Sequence, residues 1–99
     1  MDYFELEACI IAWAKEKRIM RDSYSFKQIV KTQEKLNVLM NAVLDKDKAQ
    51  VKKSLGDVMV TLLIQAEMQG VTLEDCMTDV YKDISKRKGK MINGLFVDD

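Results

Sequence analysis

The chain has 99 residues, with 16 basic and 16 acidic side chains and therefore no formal net charge. A neutral chain creates no long-range field that would attract DNA or RNA, so its composition disfavours a nucleic-acid partner. Histidine is absent, which excludes Ser-His and Cys-His catalysis and every histidine-bearing zinc site. Hydrophobic residues make up 47% of a chain without proline, which predicts one packed, all-α domain over residues 1–99.

The chain's ends and cysteines predict a cytoplasmic protein. No charged N-terminal stretch precedes an apolar core, and no apolar run reaches membrane-spanning length, so we expect neither a signal peptide nor a membrane partner. Cys9 and Cys76 lie far apart in the sequence and form no metal-binding pattern. Two reduced thiols in the cytosol fit this arrangement.

The first half of the chain predicts two helices. Asp2 is a suitable N-cap for a helix that extends to about Arg18. Ser25 and Gln28 form a capping-box pattern, and the helix that they open runs to about Leu44 with apolar residues at helical spacing. The segment around Arg21–Tyr24, between these two helices, predicts a connection.

A third predicted helix follows an N-cap at Asp47 and stops after Gln69 at Gly70. It is apolar around most of its circumference, and a helix of that kind must bury more than one face. Because so short a chain can hardly cover it alone, we expect a homo-dimer or homo-tetramer. A narrow polar stripe on this helix holds Ser54, Asp57, Thr61 and Gln65.

The fourth predicted helix starts at Thr72, where Asp75 completes a capping-box pattern, and ends near Lys88 and Gly89. Basic residues crowd its end. The tail that follows, MINGLFVDD, is too apolar for a free end. We therefore expect it to fold back onto the helices.

Two groups of polar residues are candidates for a site. Asp57 is the lone carboxylate among the neutral groups of this polar stripe, and it is either a solvated edge residue or a metal ligand or catalytic acid. Glu34 and Asn37 are three residues apart on the second helix and could offer oxygens to one cation. The alternative for these two is an ordinary solvated helix surface.

Two segments carry a resemblance to a known family. LGDVMVTLLIQAEMQG at Leu55–Gly70 and YKDISKRKGKMINGLFV at Tyr81–Val97 resemble the MazG-like all-α NTP pyrophosphohydrolase superfamily, in particular its short phage members. Trp13 and Ala14, followed by a charged pair and an apolar pair, also fit. The resemblance implies a MazG-type four-helix bundle with a short C-terminal tail, which assembles into dimers or tetramers. If the gene is phage-encoded, it implies the host cytoplasm.

Members of this superfamily split an NTP or dNTP into monophosphate and pyrophosphate, using Mg²⁺ held by ExxE and ExxD carboxylate pairs, with Mn²⁺ as a substitute. The resemblance makes Asp57 the ExxD aspartate and Glu34 the first acid of the other motif, so both are expected metal ligands. The other three ligand positions are not acidic: Ser54, Lys35 and Val38. Lys35 would put a positive charge where a cation should sit.

The resemblance also implies substrate contacts, while the catalytic residue stays unassigned. Trp13 would stack the base, Arg87 or Lys90 would hold phosphate, and Asn37 would assist near the cation. The alternatives are a core anchor for Trp13 and a solvated helix end for the basic residues. The first hypothesis is a slow or inactive Mg²⁺-dependent pyrophosphohydrolase. The second is a non-catalytic oligomeric module, a pseudoenzyme that binds a nucleotide or a protein partner.

Overall fold

The computed structural model describes residues 1–99, and it is mostly helical, as predicted. None of its helices is both long and apolar enough to cross a bilayer. The short helix α2 has no counterpart among the predicted helices, and its end overlaps the predicted connection around Arg21–Tyr24. The elements in chain order are α1 (Tyr3–Glu16), α2 (Ile19–Asp22), α3 (Ser25–Leu44), α4 (Lys48–Gln69), α5 (Leu73–Ile84), β1 (Gly89–Ile92) and β2 (Leu95–Asp98).

Three of the four predicted helix starts are capped as expected. At each, a side-chain oxygen accepts a hydrogen bond from the backbone N–H three residues later, which satisfies a donor without a partner inside the helix. α3 differs, because Tyr24 is its N-cap and makes no side-chain cap, while Gln28 donates its amide to Ser23 Oγ at 3.0 Å. The three caps are Asp2 to Glu5, Asp47 to Gln50 and Thr72 to Asp75.

α3 and α4 pack against each other as an antiparallel pair, and α1 packs on α4. Thr32 Oγ1 on α3 donates to Thr61 Oγ1 on α4 at 2.9 Å, and Thr61 in turn donates to the Val58 carbonyl at 2.7 Å. Near the start of α3, Gln65 Nε2 donates to the Ser25 carbonyl at 2.9 Å. These hydrogen bonds fix the register of the two helices. The buried residues are Ala14, Thr32, Ala42, Ser54, Thr61, Leu63, Ile64 and Ala66.

The C-terminal tail forms a hairpin, so the expectation that it folds back onto the helices is wrong. Antiparallel strands β1 and β2 pair Met91 with Phe96, and no residue of either strand is buried. Asn93 and Gly94 both have positive φ values, 51° and 81°. An Asn-Gly pair favours this two-residue turn, because both residues tolerate the left-handed region. The strands therefore satisfy their backbone hydrogen bonds with each other.

The surface of the single chain is large for its mass. Its accessible area is 7875 Å², whereas a folded monomer of 11.4 kDa exposes about 5,800 Å². Its radius of gyration is 16.0 Å, against about 13 Å for a compact domain of this length. Only 8 of 99 residues are buried. A single chain thus leaves exposed roughly 2,100 Å² that a compact monomer of this mass would cover.

The apolar surface of α4, from which the sequence predicts an oligomer, is covered in part within one chain. Leu63 and Ile64 on α4 are buried, because α3 and α1 cover this helix within one chain. Packing on these two neighbours therefore accounts for part of the apolar surface of α4, and Leu55 and Met59 remain exposed. Large hydrophobic side chains are exposed on α1, on the outer face of α3, on α5 and on the hairpin, for example Phe4, Met40, Val80 and Phe96, and on α4 at Leu55 and Met59.

The buried hydroxyl pair between α3 and α4 generates a first prediction. Thr32→Val and Thr61→Val should each lower the free energy of unfolding by about 1 kcal/mol, since each removes the buried hydrogen bond between the two hydroxyl groups. The double variant should lose less than the sum, because no polar group then lacks its partner. Urea unfolding at one fixed protein concentration measures the free energy of unfolding of the parent, the two single variants and the double variant. Thr78→Val on exposed α5 is the matched control, and strictly additive losses would contradict a direct bond.

Candidate functional site

The register of α3 and α4 places Lys35 opposite Asp57. The Lys35 ammonium lies 3.9 Å from Asp57 Oδ2, about one helical turn beyond the Thr32–Thr61 hydrogen bond. Lys53, four residues before Asp57 on the same helix, donates to the same oxygen at 2.8 Å. Asp57 is therefore held by two ammonium groups, one from each helix.

These ammonium groups lower the pKa of Asp57 below its ordinary value. The hydrogen bond from Lys53 is the largest cause, and the positive charges of Lys53 and Lys35 act in the same direction. Partial desolvation of the carboxyl group, the second-largest cause, raises the pKa but does not outweigh the lowering. Asp57 is consequently an ionised carboxylate at neutral pH, and its charge is already balanced within the chain.

Asp57 and Trp13, which the sequence singled out separately, line the same cavity of about 330 Å³. Trp13 reaches it from α1 and is 47% exposed, so its ring is available to a ligand. Two lysines of α3 enter the lining, and sequence reasoning had given Lys31 no role. The lining residues are Trp13, Ile19, Gln28, Lys31, Lys35, Asp57, Val60, Thr61 and Ile64.

A second cavity, a groove of about 500 Å³ between α1 and α4, meets the first one at Asp57 and Val60. Its floor is mainly apolar. One oxygen of Glu7, Oε2, is buried there without a hydrogen-bond partner. Burial is the largest cause that raises the pKa of Tyr3, and the hydrogen bond and negative charge of Glu7 add to it.

Glu34 does not join Asp57. It forms an ion pair with Lys31 at 3.4 Å, and its side chain is 60% exposed. Asn37 lines a shallow surface depression on α3 with Gln33, Leu36 and Met40. Neither residue lines the cavity that contains Asp57.

The two predicted phosphate-binding residues lie in the C-terminal part of the chain. Arg87 follows α5 and donates to Asp83 Oδ2 at 2.9 Å, while Lys90 is an exposed residue of β1. Within one chain neither lines the cavity that contains Trp13 and Asp57.

The other motif positions also depart from a carboxylate cage. Ser54 is 1% exposed and accepts a hydrogen bond from Gln50 Nε2 at 2.9 Å, so it is a packed polar residue of the interior. Val38 is exposed on α3. No three acidic or cysteine side chains are grouped to hold one ion. With Lys35 and Lys53 already on Asp57 and Lys31 on Glu34, this arrangement does not fit the carboxylate set of a Mg²⁺ site.

Comparison of the chain with known protein families, curated proteins and solved structures finds no match. The MazG-like resemblance is therefore an interpretation of the sequence alone.

The lowered pKa of Asp57 generates a prediction with a defined sign. A carboxyl group with a lowered pKa in the folded state stabilises the fold above its unfolded pKa, and this contribution is lost as the pH falls through the folded value. Asp57→Asn should therefore destabilise the protein at pH 7, and the difference from the parent should shrink below roughly pH 4. Chemical unfolding of both proteins at pH 7 and pH 3 measures this.

Glu34→Gln is the matched control, because its exposed ion pair with Lys31 should contribute little at either pH. If Asp57→Asn were as stable as the parent at pH 7, the two lysines would not stabilise the fold through this carboxylate.

Proposed function

We propose that this chain is an oligomeric, metal-independent nucleotide-binding module of the MazG-like type, which hydrolyses nucleoside triphosphates slowly or not at all. One observation carries the proposal: the Lys35 ammonium faces Asp57 at 3.9 Å. In a MazG-like pyrophosphohydrolase a divalent cation would stand between the carboxylates of the two helices. Here a lysine supplies the positive charge instead.

The cavity beside Asp57 offers groups that suit a nucleotide. Its volume of about 330 Å³ is at the small end of the range for small-molecule sites. The half-exposed indole of Trp13 would stack on the base, an interaction that every base can make. Lys31 and Lys35 line the same cavity, and their ammonium groups would attract a phosphate as point charges. The carboxylate of Asp57 would keep that phosphate on the lysine side.

The same groups argue against efficient hydrolysis. Cleavage between phosphates needs a strong nucleophile and a concentrated positive charge, which a divalent ion on several carboxylates provides. A lysine ammonium carries a single charge and has no open coordination position for a water molecule. The chain contains no histidine that could act as a general base. We therefore favour binding over turnover.

We also propose that the chain forms a homo-dimer or homo-tetramer, and that α1, α3, α4 and α5 correspond to the four helices of a MazG-type bundle completed by assembly. The support is the surface of the single chain, which exceeds that of a compact monomer by roughly 2,100 Å². An excess of this size is comparable to the area that each partner buries in a large obligate interface.

Nucleotide binding without metal is the direct test. Trp13 is the only tryptophan, so its fluorescence reports on the cavity. NTPs and dNTPs should quench it in EDTA, and added Mg²⁺ should change the dissociation constant little. Lys35→Ala should weaken binding about tenfold, the equivalent of about 1.4 kcal/mol. Lys27→Ala, on the same helix but outside the cavity, is the matched control.

Pyrophosphate release is measured in parallel with Mg²⁺ and Mn²⁺. Brisk release from any NTP or dNTP would reject the non-catalytic proposal in favour of an active pyrophosphohydrolase. Absence of quenching by the whole panel would instead reject nucleotide binding and leave a protein partner as the alternative.

The role assigned to Lys35 predicts that a carboxylate there creates a metal response. Lys35→Glu would place two carboxylates across the contact between α3 and α4, where they repel each other until a cation binds. Mg²⁺ at ten times its dissociation constant should then stabilise this variant by about 1.4 kcal/mol, as measured by thermal unfolding. Lys31→Glu lines the same cavity but does not face Asp57, so it should respond less. A parent that responds as strongly as Lys35→Glu contradicts the assignment.

A further inference from the structure

α5 has an apolar stripe that nothing in its own chain covers. Cys76, Met77, Val80, Tyr81 and Ile84 repeat at three- and four-residue spacing along one side of the helix, and all five are exposed. No residue of α5 is buried. A helix of 12 residues is not stable alone in water, so this stripe needs a surface to pack against.

The flanks of this stripe are acidic. Asp79 lies on one side of the stripe and Glu74 on the other, and neither forms an ion pair within the chain. Asp79 is at the middle of the helix, beside Val80. Any surface that receives α5 should therefore combine an apolar floor with basic edges.

The groove between α1 and α4 has an apolar floor and two lysines on its α4 side, Lys52 and Lys53, together with the carboxylates of Glu7 and Asp57. Its floor includes Leu6, Ile10 and Val60. Above Gly56 the surface is open, because no atom lies within 4 Å of where a Cβ would stand, and a glycine at such a point lets a second helix approach closely. Lys52 stands at the edge of the groove without an ion-pair partner in the chain.

We propose that α5 of one copy lies in the α1–α4 groove of a second copy, with its acidic flanks against the lysine edge of that groove. This inference deepens the proposed homo-oligomer and rests on it. Each chain carries both the helix and the groove, so two copies can satisfy both surfaces reciprocally around a two-fold axis. The roughly 2,100 Å² of excess surface per chain is enough for such an exchange.

The chain's own α5 is a poorer occupant of its groove. Only Gly70, Val71 and Thr72 separate α4 from α5. α4 ends at Gly70 in a left-handed turn, and no residue of the α5 that follows is buried. Docking of a second copy would also complete the site, because the groove borders Asp57 and Lys53. The partner helix would then shield this side of the carboxylate from water.

A charge swap tests the contact. Lys52→Glu and Asp79→Lys should each weaken dimerisation about tenfold, because both symmetric contacts change from attraction to repulsion. The double variant should recover the parental dissociation constant, since the two exchanged charges would again be opposite in sign across each contact. Sedimentation equilibrium over a dilution series measures the masses, and Lys27→Glu on α3 is the charge-matched control.

A second pair of variants locates the apolar contact. Val80→Asp on α5 should give a monomer, whereas Val43→Asp, on the similarly exposed outer face of α3, should leave the dimer intact. The reverse result would overturn the proposal, as would a parent that is monomeric at micromolar concentration or a charge swap that fails to recover dimerisation. Nucleotide quenching of Trp13 is read separately, so a failure of this contact is distinguishable from a failure of nucleotide binding.

Discussion

The contact between α3 and α4 determines the rest of this structure. A buried hydrogen bond joins Thr32 to Thr61 at 2.9 Å, and it sets which residues of the two helices meet. One turn further along, the same register brings Lys35 to Asp57. Successive side chains along an α-helix are rotated by about 100°. A shift of one helix by one residue would therefore separate Lys35 from Asp57 and expose the hydroxyl groups of Thr32 and Thr61. The internal ion pair is therefore a consequence of the helix packing.

Most of the helical fold could be predicted because its signals are local. The caps at Asp2, Asp47 and Thr72 and the stop at Gly70 each depend on a residue and its near neighbours, and the structure contains all four. The hairpin had an equally local signal in Asn93–Gly94. It was missed because the apolar character of the tail was interpreted as a need for burial, although strand pairing can satisfy the backbone of an exposed segment.

The site could be predicted only in part, because its geometry depends on which helix faces meet. Trp13 and Asp57 do line one cavity, and the MazG-like resemblance gives these two residues roles in one site. The resemblance also makes Glu34 a metal ligand beside Asp57. Lys35, the next residue on α3, is the one that faces Asp57, and Glu34 points to the surface, where it pairs with Lys31. The sequence could have revealed Lys53, since a lysine four residues before an aspartate on a helix is a common ion pair.

A lysine ammonium and a magnesium ion differ in what they allow a site to do. A magnesium ion arrives with its substrate, carries two charges and orients a water molecule, so its effect is coupled to the reaction. The Lys35 ammonium is part of the folded chain before any ligand binds, and its charge is shared with Asp57. Such a site can attract an anion, but it gains no new charge when the anion arrives. If a nucleotide binds beside the Lys35–Asp57 pair, as proposed, these properties favour its recognition over its hydrolysis.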